Sequence, residues 1–298
     1  MVASIVACVL AAGSAPLRIN DGADPAPFLG QAEGPRITAD VGAWVARLTG
    51  TARVGAAGTT FQLNEELAVG GQSAGVAGEF AVCVDRWRFG GIGLAISESA
   101  TERAPVGGVF GSTVIAPGST IRGEYSLWMA GAEVGYTLWR PFADEPWPWS
   151  GEGANRAAAT KALGQNGRAL FDLRLVGLVG GLGMGYDQTL TNVGTGSTSG
   201  FSKTVGAIYG GGGAEFDLGM DGRIPFIEDI RVYAYAGLGP TIPDGDTVWM
   251  VRVGLAAMLT RNIGVEFGYR LYDFDLTSGP SEVDAGVRGI FAALTVRF

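Results

Sequence analysis

An all-β chain, closed on itself as a single antiparallel up-and-down barrel of about ten strands, within roughly eight to twelve, is the fold class that the sequence predicts. Three observations predict it. Apolar residues recur at every second position in many separate stretches, glycine is extreme at 50 of 298 residues, and nowhere are there the roughly 18 consecutive apolar residues that a spanning helix needs.

The alternation is clearest near the C-terminus, because successive side chains of a strand point to opposite faces. Over 249–259 the odd positions are Trp249, Val251, Val253, Leu255, Ala257 and Leu259, with Arg252, Gly254 and Ala256 between them. After a tight turn at 260–262, Ile263, Val265, Phe267, Tyr269 and Leu271 alternate with Glu266, Gly268 and Arg270. The final strand sets Ile290, Ala292, Leu294, Val296 and Phe298 against Gly289, Phe291, Ala293, Thr295 and Arg297. The same period runs through 230–238, 78–84 and 128–138, and more noisily through 37–54, 87–98, 168–186 and 202–218. Each stretch is near the length of about 9 to 11 residues that a tilted membrane strand requires. Short turns are expected at 85–86 and 260–262, and long polar loops at 99–119 and 187–200.

Alternation alone does not say whether the apolar face meets lipid or a protein core; a soluble lipocalin-like ligand-binding barrel has the same period. The second face decides for lipid. It carries Gly, Ala, Thr and Tyr with sparse charges of both signs, where a soluble barrel would carry long Lys and Glu. Small residues suit the inside of a narrow cylinder. The expected lumen charges are Glu79, Glu133, Asp172, Glu215, Asp217 and Glu266, opposed by Arg174, Arg231, Arg252 and Arg270. Buried charges are tolerated when paired, and this set is nearly balanced. Trp87, Trp139, Tyr186 and Trp249 stand at the ends of the expected strands, where an aromatic girdle belongs.

The stretch "NIGVEFGYRLYDFDL" followed by "GIFAALTVRF" resembles the last hairpin of the small outer-membrane β-barrels, the superfamily that holds the OmpA transmembrane domain and OmpW. The likeness covers the domain in style and 249–298 in detail. It implies a place in the outer membrane of a Gram-negative-type cell, with outer-membrane lipids as surroundings. It also implies a closing strand read by the barrel-assembly machinery, a role that falls on Leu294, Val296 and Phe298. Ala293 stands where the family has glycine, and Phe291 where it has a polar residue.

The N-terminal 1–15, "MVASIVACVLAAGSA", reads as a truncated signal peptide without its basic region; Ile5-Val6-Ala7-Cys8 also looks like a lipoprotein cleavage box, but its apolar lead is short for one, and the signal peptide is the favoured reading. Residues 16–36 then form a periplasmic segment and 37–298 the barrel, with a periplasmic insertion at 140–167 carrying a small helix at 154–163. Two cysteines, Cys8 and Cys83, imply no disulfide framework.

The chain has no histidine, so Ser-His-Asp triads, Cys-His pairs and His-ligated zinc are all impossible. No catalytic residue, cofactor or metal is expected, and the chain reads as a non-enzyme. A net charge of -8 argues against nucleic acid. "GGLGMG" at 180–185 lacks the strand-to-helix setting of a phosphate loop and reads as close packing in a barrel wall. Asp244, Asp246, Glu65 and Glu66 suit ordinary turn chemistry or divalent ions at the outer rim. Three roles stay open: a structural barrel whose lumen is closed by Arg-carboxylate pairs, a small pore or hydrophobic-solute channel in the porin-like manner, and a surface adhesin.

Overall fold

The computed structural model describes residues 36–69, 71–141, 171–220, 224, 226–260 and 262–298. The segments read as a signal peptide (1–15, with Cys8) and, but for Arg36, as a periplasmic stretch (16–36) lie outside the described residues, as does nearly all of the insertion at 140–167 with its small helix.

In chain order the elements are β1 Arg36–Arg53, β2 Phe61–Gln62, α1 Leu63–Glu66, β3 Gln72–Val84, β4 Trp87–Arg103, β5 Gly108–Phe110, β6 Thr113–Ile115, β7 Thr120–Trp139, β8 Phe171–Asn192, β9 Ser197–Gly219, β10 Asp229–Ile242, β11 Thr247–Met258, β12 Ile263–Ser278 and β13 Ser281–Arg297. All main strands pair antiparallel with their neighbours, and β13 pairs back onto β1 from Thr38↔Arg297 to Arg53↔Glu282. Among the described residues this makes a closed wall of ten strands, with β2 a short addition to β1 and β5–β6 a separate hairpin. Closure of β13 on β1 leaves no strand without a neighbour on either side, so the backbone of the belt pairs within the barrel, as hydrocarbon requires.

The period-2 pattern sorts side chains to the two faces. Val41, Phe80, Phe267, Ile290 and Leu294 are each half exposed or more, whereas Trp44, Ala77, Arg270 and Phe291 on alternate positions are buried inside. The outward apolar run covers 37–45 on β1, 76–84 on β3, 128–138 on β7, 263–271 on β12 and 290–298 at the C-terminus. These runs are each about 9 to 11 residues, and together they form a belt as tall as the hydrocarbon core.

The turns at 85–86 and around 259–262 are short, as expected, and they share one end of the barrel with both ends of the described wall, where Ile37 and Phe298 exchange backbone hydrogen bonds of 3.1 and 2.8 Å. This is the terminal end. The opposite, loop end differs from the expectation. Residues 187–200 are not a long loop but the tip of the β8–β9 hairpin, turning in 193–196 with Gly196 at φ 72. Hydroxyl pairing across the strands, Thr191 to Thr198 at 2.9 Å, keeps a Thr/Ser-rich sequence in the ladder. Residues 99–103 likewise continue β4, and the rest of 104–119 folds into the β5–β6 hairpin. The substantial loop at this end is 54–71, which carries β2 and α1.

Glycine makes room for aromatic rings inside the wall. A Cβ on Gly180 would lie 2.4 Å from the Tyr209 ring, and one on Gly254 2.4 Å from the Tyr233 ring. This gives "GGLGMG" its packing role. Gly254→Ala is therefore expected to cost about 1–3 kcal/mol by overpacking, read as a lower urea midpoint of unfolding in lipid vesicles; an unchanged midpoint would show that Tyr233 moves freely.

Candidate functional site in the barrel interior

The interior is built in two layers. In the terminal half, alternate residues of all ten wall strands bring charged side chains and tyrosines inward. Arg252 on β11 places Nη2 2.6 Å from Glu133 Oε2 of β7 and Nη1 3.3 Å from Glu79 Oε1 of β3. Both acceptors stand four strands away from β11, in opposite directions round the wall, so one side chain spans the lumen. Glu79 also accepts from Arg270 Nη1 at 2.8 Å, and Arg88 closes on the other oxygen of Glu133. The Arg270 guanidinium lies 3.5 Å over the Phe291 ring.

A second group surrounds Arg174, which pairs with Asp172 at 3.2 Å, Glu215 at 3.1 Å and Asp217. Arg231 Nε reaches Asp217 at 3.2 Å, and Arg140 Nε reaches Asp172 at 2.9 Å. Nearer the terminal rim, Arg297 Nη1 meets Asp229 at 2.6 Å and the Thr295 hydroxyl donates to Asp40 at 2.5 Å. Tyrosines supply the neutral donors: Tyr233 to Glu266 at 2.6 Å, Tyr209 to Glu133 at 3.2 Å, and Tyr235 to Glu215. Each of these carboxylates thus meets an arginine, a phenol or, for Asp40, a threonine hydroxyl, the condition under which a buried charge persists.

Glu79, Glu133, Asp172, Arg174, Glu215, Asp217, Arg231, Arg252, Glu266 and Arg270 are all in this layer. Sequence reading did not single out Arg88, Asp40, Asp229, Arg297 or Arg140 as members of it. For Arg88 the signal was present: with Trp87 and Phe89 exposed, the residue between them must point inward. It was masked because the inward residues that follow it on β4 include Ile92, Leu94 and Ile96, which reversed the look of the pattern.

The loop half of the interior is mostly apolar, with Tyr125, Tyr186 and Gln188 among its buried polar side chains. Leu48, Ile96, Leu127, Met129, Met184, Leu190, Met250, Leu276 and Val287 are buried there, and the 54–71 loop adds Phe61, Leu63, Leu67 and Val69. The loop is locked from two sides. A Cβ on Gly123 would sit 2.0 Å from the Leu67 carbonyl oxygen, so the loop presses directly on the inner face of β7. Thr59 N donates to Val109 O at 2.8 Å and Gly111 N to Val54 O at 2.9 Å, tying the loop to the β5–β6 hairpin. Asn192 Nδ2 in turn holds the hairpin at Val114 O, 2.9 Å away.

Tyr186 corrects an expectation. It is not a girdle residue: its ring is fully buried against Phe201 and Phe274, and its hydroxyl donates to Gln188 Oε1 at 3.0 Å. Even-numbered residues of β8 face the interior, and because that half of the interior is mostly apolar, an inward aromatic looks the same in sequence as an outward one. Trp87 and Trp139 lie on the outer surface at the terminal end and Trp249 near the loop end, with Trp87 stacked on Phe89. Leu294 and Phe298 are exposed on the lipid face, and Val296 is half-buried beside them.

The rim carboxylates have local partners. Asp244 pairs with Lys203 at 2.7 Å, Asp246 accepts from the Thr277 hydroxyl at 2.7 Å, and Glu66 accepts from Gln62 N at 2.7 Å. Among the described residues no group of Asp, Glu and Cys is arranged to hold a metal ion.

No family model and no curated protein matches the chain. Among solved structures it is similar to Ail, the attachment invasion locus protein of Yersinia pestis, at 11% identity and a TM-score of 0.36, over 89% of this chain and 99% of that one. It is similar to the outer membrane protease OmpT of Escherichia coli at 10% identity and a TM-score of 0.41, over 93% and 99%. The toluene transporter TodX of Pseudomonas putida aligns at 11% identity and a TM-score of 0.26, over 89% and 90%. What the chain's own wall establishes is independent of these. With a closed antiparallel sheet of ten strands, an apolar belt outside and paired charges within, the chain is a transmembrane β-barrel of the outer-membrane kind.

Proposed function

We propose that the protein is a closed, non-enzymatic structural barrel of the outer membrane, in which the lumen is sealed rather than conducting. The observation that carries this reading is Arg252, 2% exposed and bridging Glu79 and Glu133 from opposite directions across the lumen. The inserted loop supports it. Burying Leu63 and Leu67 fully contributes about 1.5–3 kcal/mol each, so lifting the loop from the loop half of the interior is costly. In planar lipid bilayers the folded chain, identified by its heat-modifiable gel band, is expected to give no discrete current steps. Regular steps from the unaltered chain would overturn the reading.

A second reading has one observation in its favour. The loop half of the interior is lined by aliphatic and methionine side chains, a surface suited to a hydrophobic solute if the 54–71 loop withdraws. Uptake of an apolar dye into vesicles carrying the unaltered chain, without ion current, would favour it over the sealed barrel.

Assembly is proposed to run through the closing strand. Phe298 is 58% exposed and its backbone N–H bonds Ile37 O at 2.8 Å, where the wall closes. Deleting Phe298 is expected to lower the amount of folded protein in the membrane severalfold in cells. Unchanged levels of the heat-modifiable form would remove Phe298 from this role.

A further inference from the structure

The wall is uneven at the loop end. β10 stops at Ile242, opposite Gly206 of β9, and β11 begins only at Thr247. Pro243, which has no N–H to give a ladder, follows the last residue of β10. β9 nevertheless reaches up to Ser197, so that 197–205 pairs with β8 on one side and with no strand on the other. The resulting notch spans the places of two strands, about 14 Å from β9 to β12 at the usual spacing of about 4.8 Å. On its far side the edge of β12 is capped, since Asp246 accepts from Thr277 N at 3.0 Å and from the Thr277 hydroxyl at 2.7 Å.

The ladder fixes which backbone groups face the notch. Thr191 and Thr198 are cross-strand partners whose hydroxyls lie 2.9 Å apart, the close approach of a pair that exchanges no backbone hydrogen bonds. The N–H and C=O of Thr198 therefore point away from β8, and with a period of two so do those of Gly200, Ser202 and Thr204. All four residues are exposed, and β10 takes up the same row from Gly206 onward. The β5–β6 hairpin approaches β9 from the inner side, where Ser112 N donates to Ser199 Oγ at 2.9 Å. A row of this kind is a template for one more strand.

Neither this chain nor a second copy in the same membrane fits the place. The long stretches outside the described residues join the barrel at its terminal end, before Arg36 and between Pro141 and Phe171, and would have to cross the hydrocarbon to reach the notch. Two copies standing in one membrane face each other with strands tilted in opposite senses, crossing at twice a tilt of about 35–45°, an angle at which no ladder forms. Charge selects among foreign segments. Asp187, Asp244, Asp246 and Asp275 border the notch, with Lys203 as the cation among them, bound to Asp244 at 2.7 Å. We propose that 197–205 is a docking edge for an extended, positively charged segment of another polypeptide, added beside β9 in line with β10. This edge lies outside the lumen, so its use does not depend on the seal.

The test uses the full chain folded in neutral detergent, identified by its heat-modifiable gel band, and reads the binding of short fluorescent peptides by anisotropy. Three probes are compared: a peptide of alternating lysine and valine as long as the edge, the same peptide N-methylated throughout, which keeps the charge and removes every backbone donor, and a peptide of alternating glutamate and valine. The lysine peptide is expected to bind, and the other two at least about tenfold more weakly. Ser202→Pro takes one notch-facing N–H out of the row without touching the β8 ladder, and is expected to weaken the lysine peptide about tenfold. Ser202→Ala, which loses only the hydroxyl, is expected to bind as the unaltered chain does. No binding of the lysine peptide, equal binding of its N-methylated form, equal binding of the glutamate peptide, or undiminished binding by Ser202→Pro would each overturn the proposal. If Ser202→Pro does not fold, the lysine peptide against its N-methylated form on the unaltered chain decides.

Discussion

Arg252→Ala is expected to destabilise the folded barrel by about 3–5 kcal/mol, the cost of breaking a buried ion pair from one side. Its guanidinium is 2% exposed and stands 2.6 Å from Glu133 and 3.3 Å from Glu79. Removing it leaves those carboxylates to Arg88 and Arg270, each of which already serves the same network. The loss thus comes from uncompensated negative charge rather than from a missing contact. The double variant Arg252→Met/Glu133→Gln removes charge of both signs and is expected to recover much of the stability, because apolar filling of a buried pair is often neutral. Urea unfolding in lipid vesicles, followed by tryptophan fluorescence, measures both. A loss below about 1 kcal/mol in Arg252→Ala would mean that the pair behaves as a solvated one and that water fills the terminal half.

Ion conduction is expected to need two breaches, because the polar and apolar layers lie in series along the axis. Arg252→Ala opens only the first, and deletion of 58–69 only the second, so each variant alone is expected to stay silent in planar bilayers. Combined, they are expected to give discrete steps. The reason lies in the loop half, where the buried side chains are mostly apolar and carry no charge network to replace the hydration of a permeating ion, so that desolvation opposes its passage. Steps from Arg252→Ala by itself would make the charge layer the sole seal. Steps from the loop deletion by itself would show that the charge network is already permeable, and with it the sealed lumen would fall.

Much of this architecture was legible in the chain. Trp249, Val251, Val253 and Leu255 against Arg252 and Gly254 identify strand and face in one reading, since a period of two has a single solution once lipid takes the apolar side. The interior charges followed from the same parity. What misled was the assumption that the inner face is polar throughout. Tyr186 and the β4 residues Ile92, Leu94 and Ile96 are inward and apolar, and alternation between apolar and small residues carries no sign of which face is which. The Thr/Ser-rich stretch 187–200 was read as loop from composition, although Thr191 and Thr198 pair across strands that simply continue beyond the membrane.

By itself, then, the sequence determined a membrane barrel: the height of its belt, the residues that face lipid, and a stock of interior charges that nearly balance. These are local properties, repeated every second residue and readable without knowing any partner. Tertiary structure alone decided that the lumen has two layers, that Arg252 reaches Glu79 and Glu133 from opposite directions, and that Leu63 and Leu67 fold inward as a plug. Those contacts join strands far apart in the chain and exist only because β13 closes on β1, which brings opposite walls within one side chain's reach.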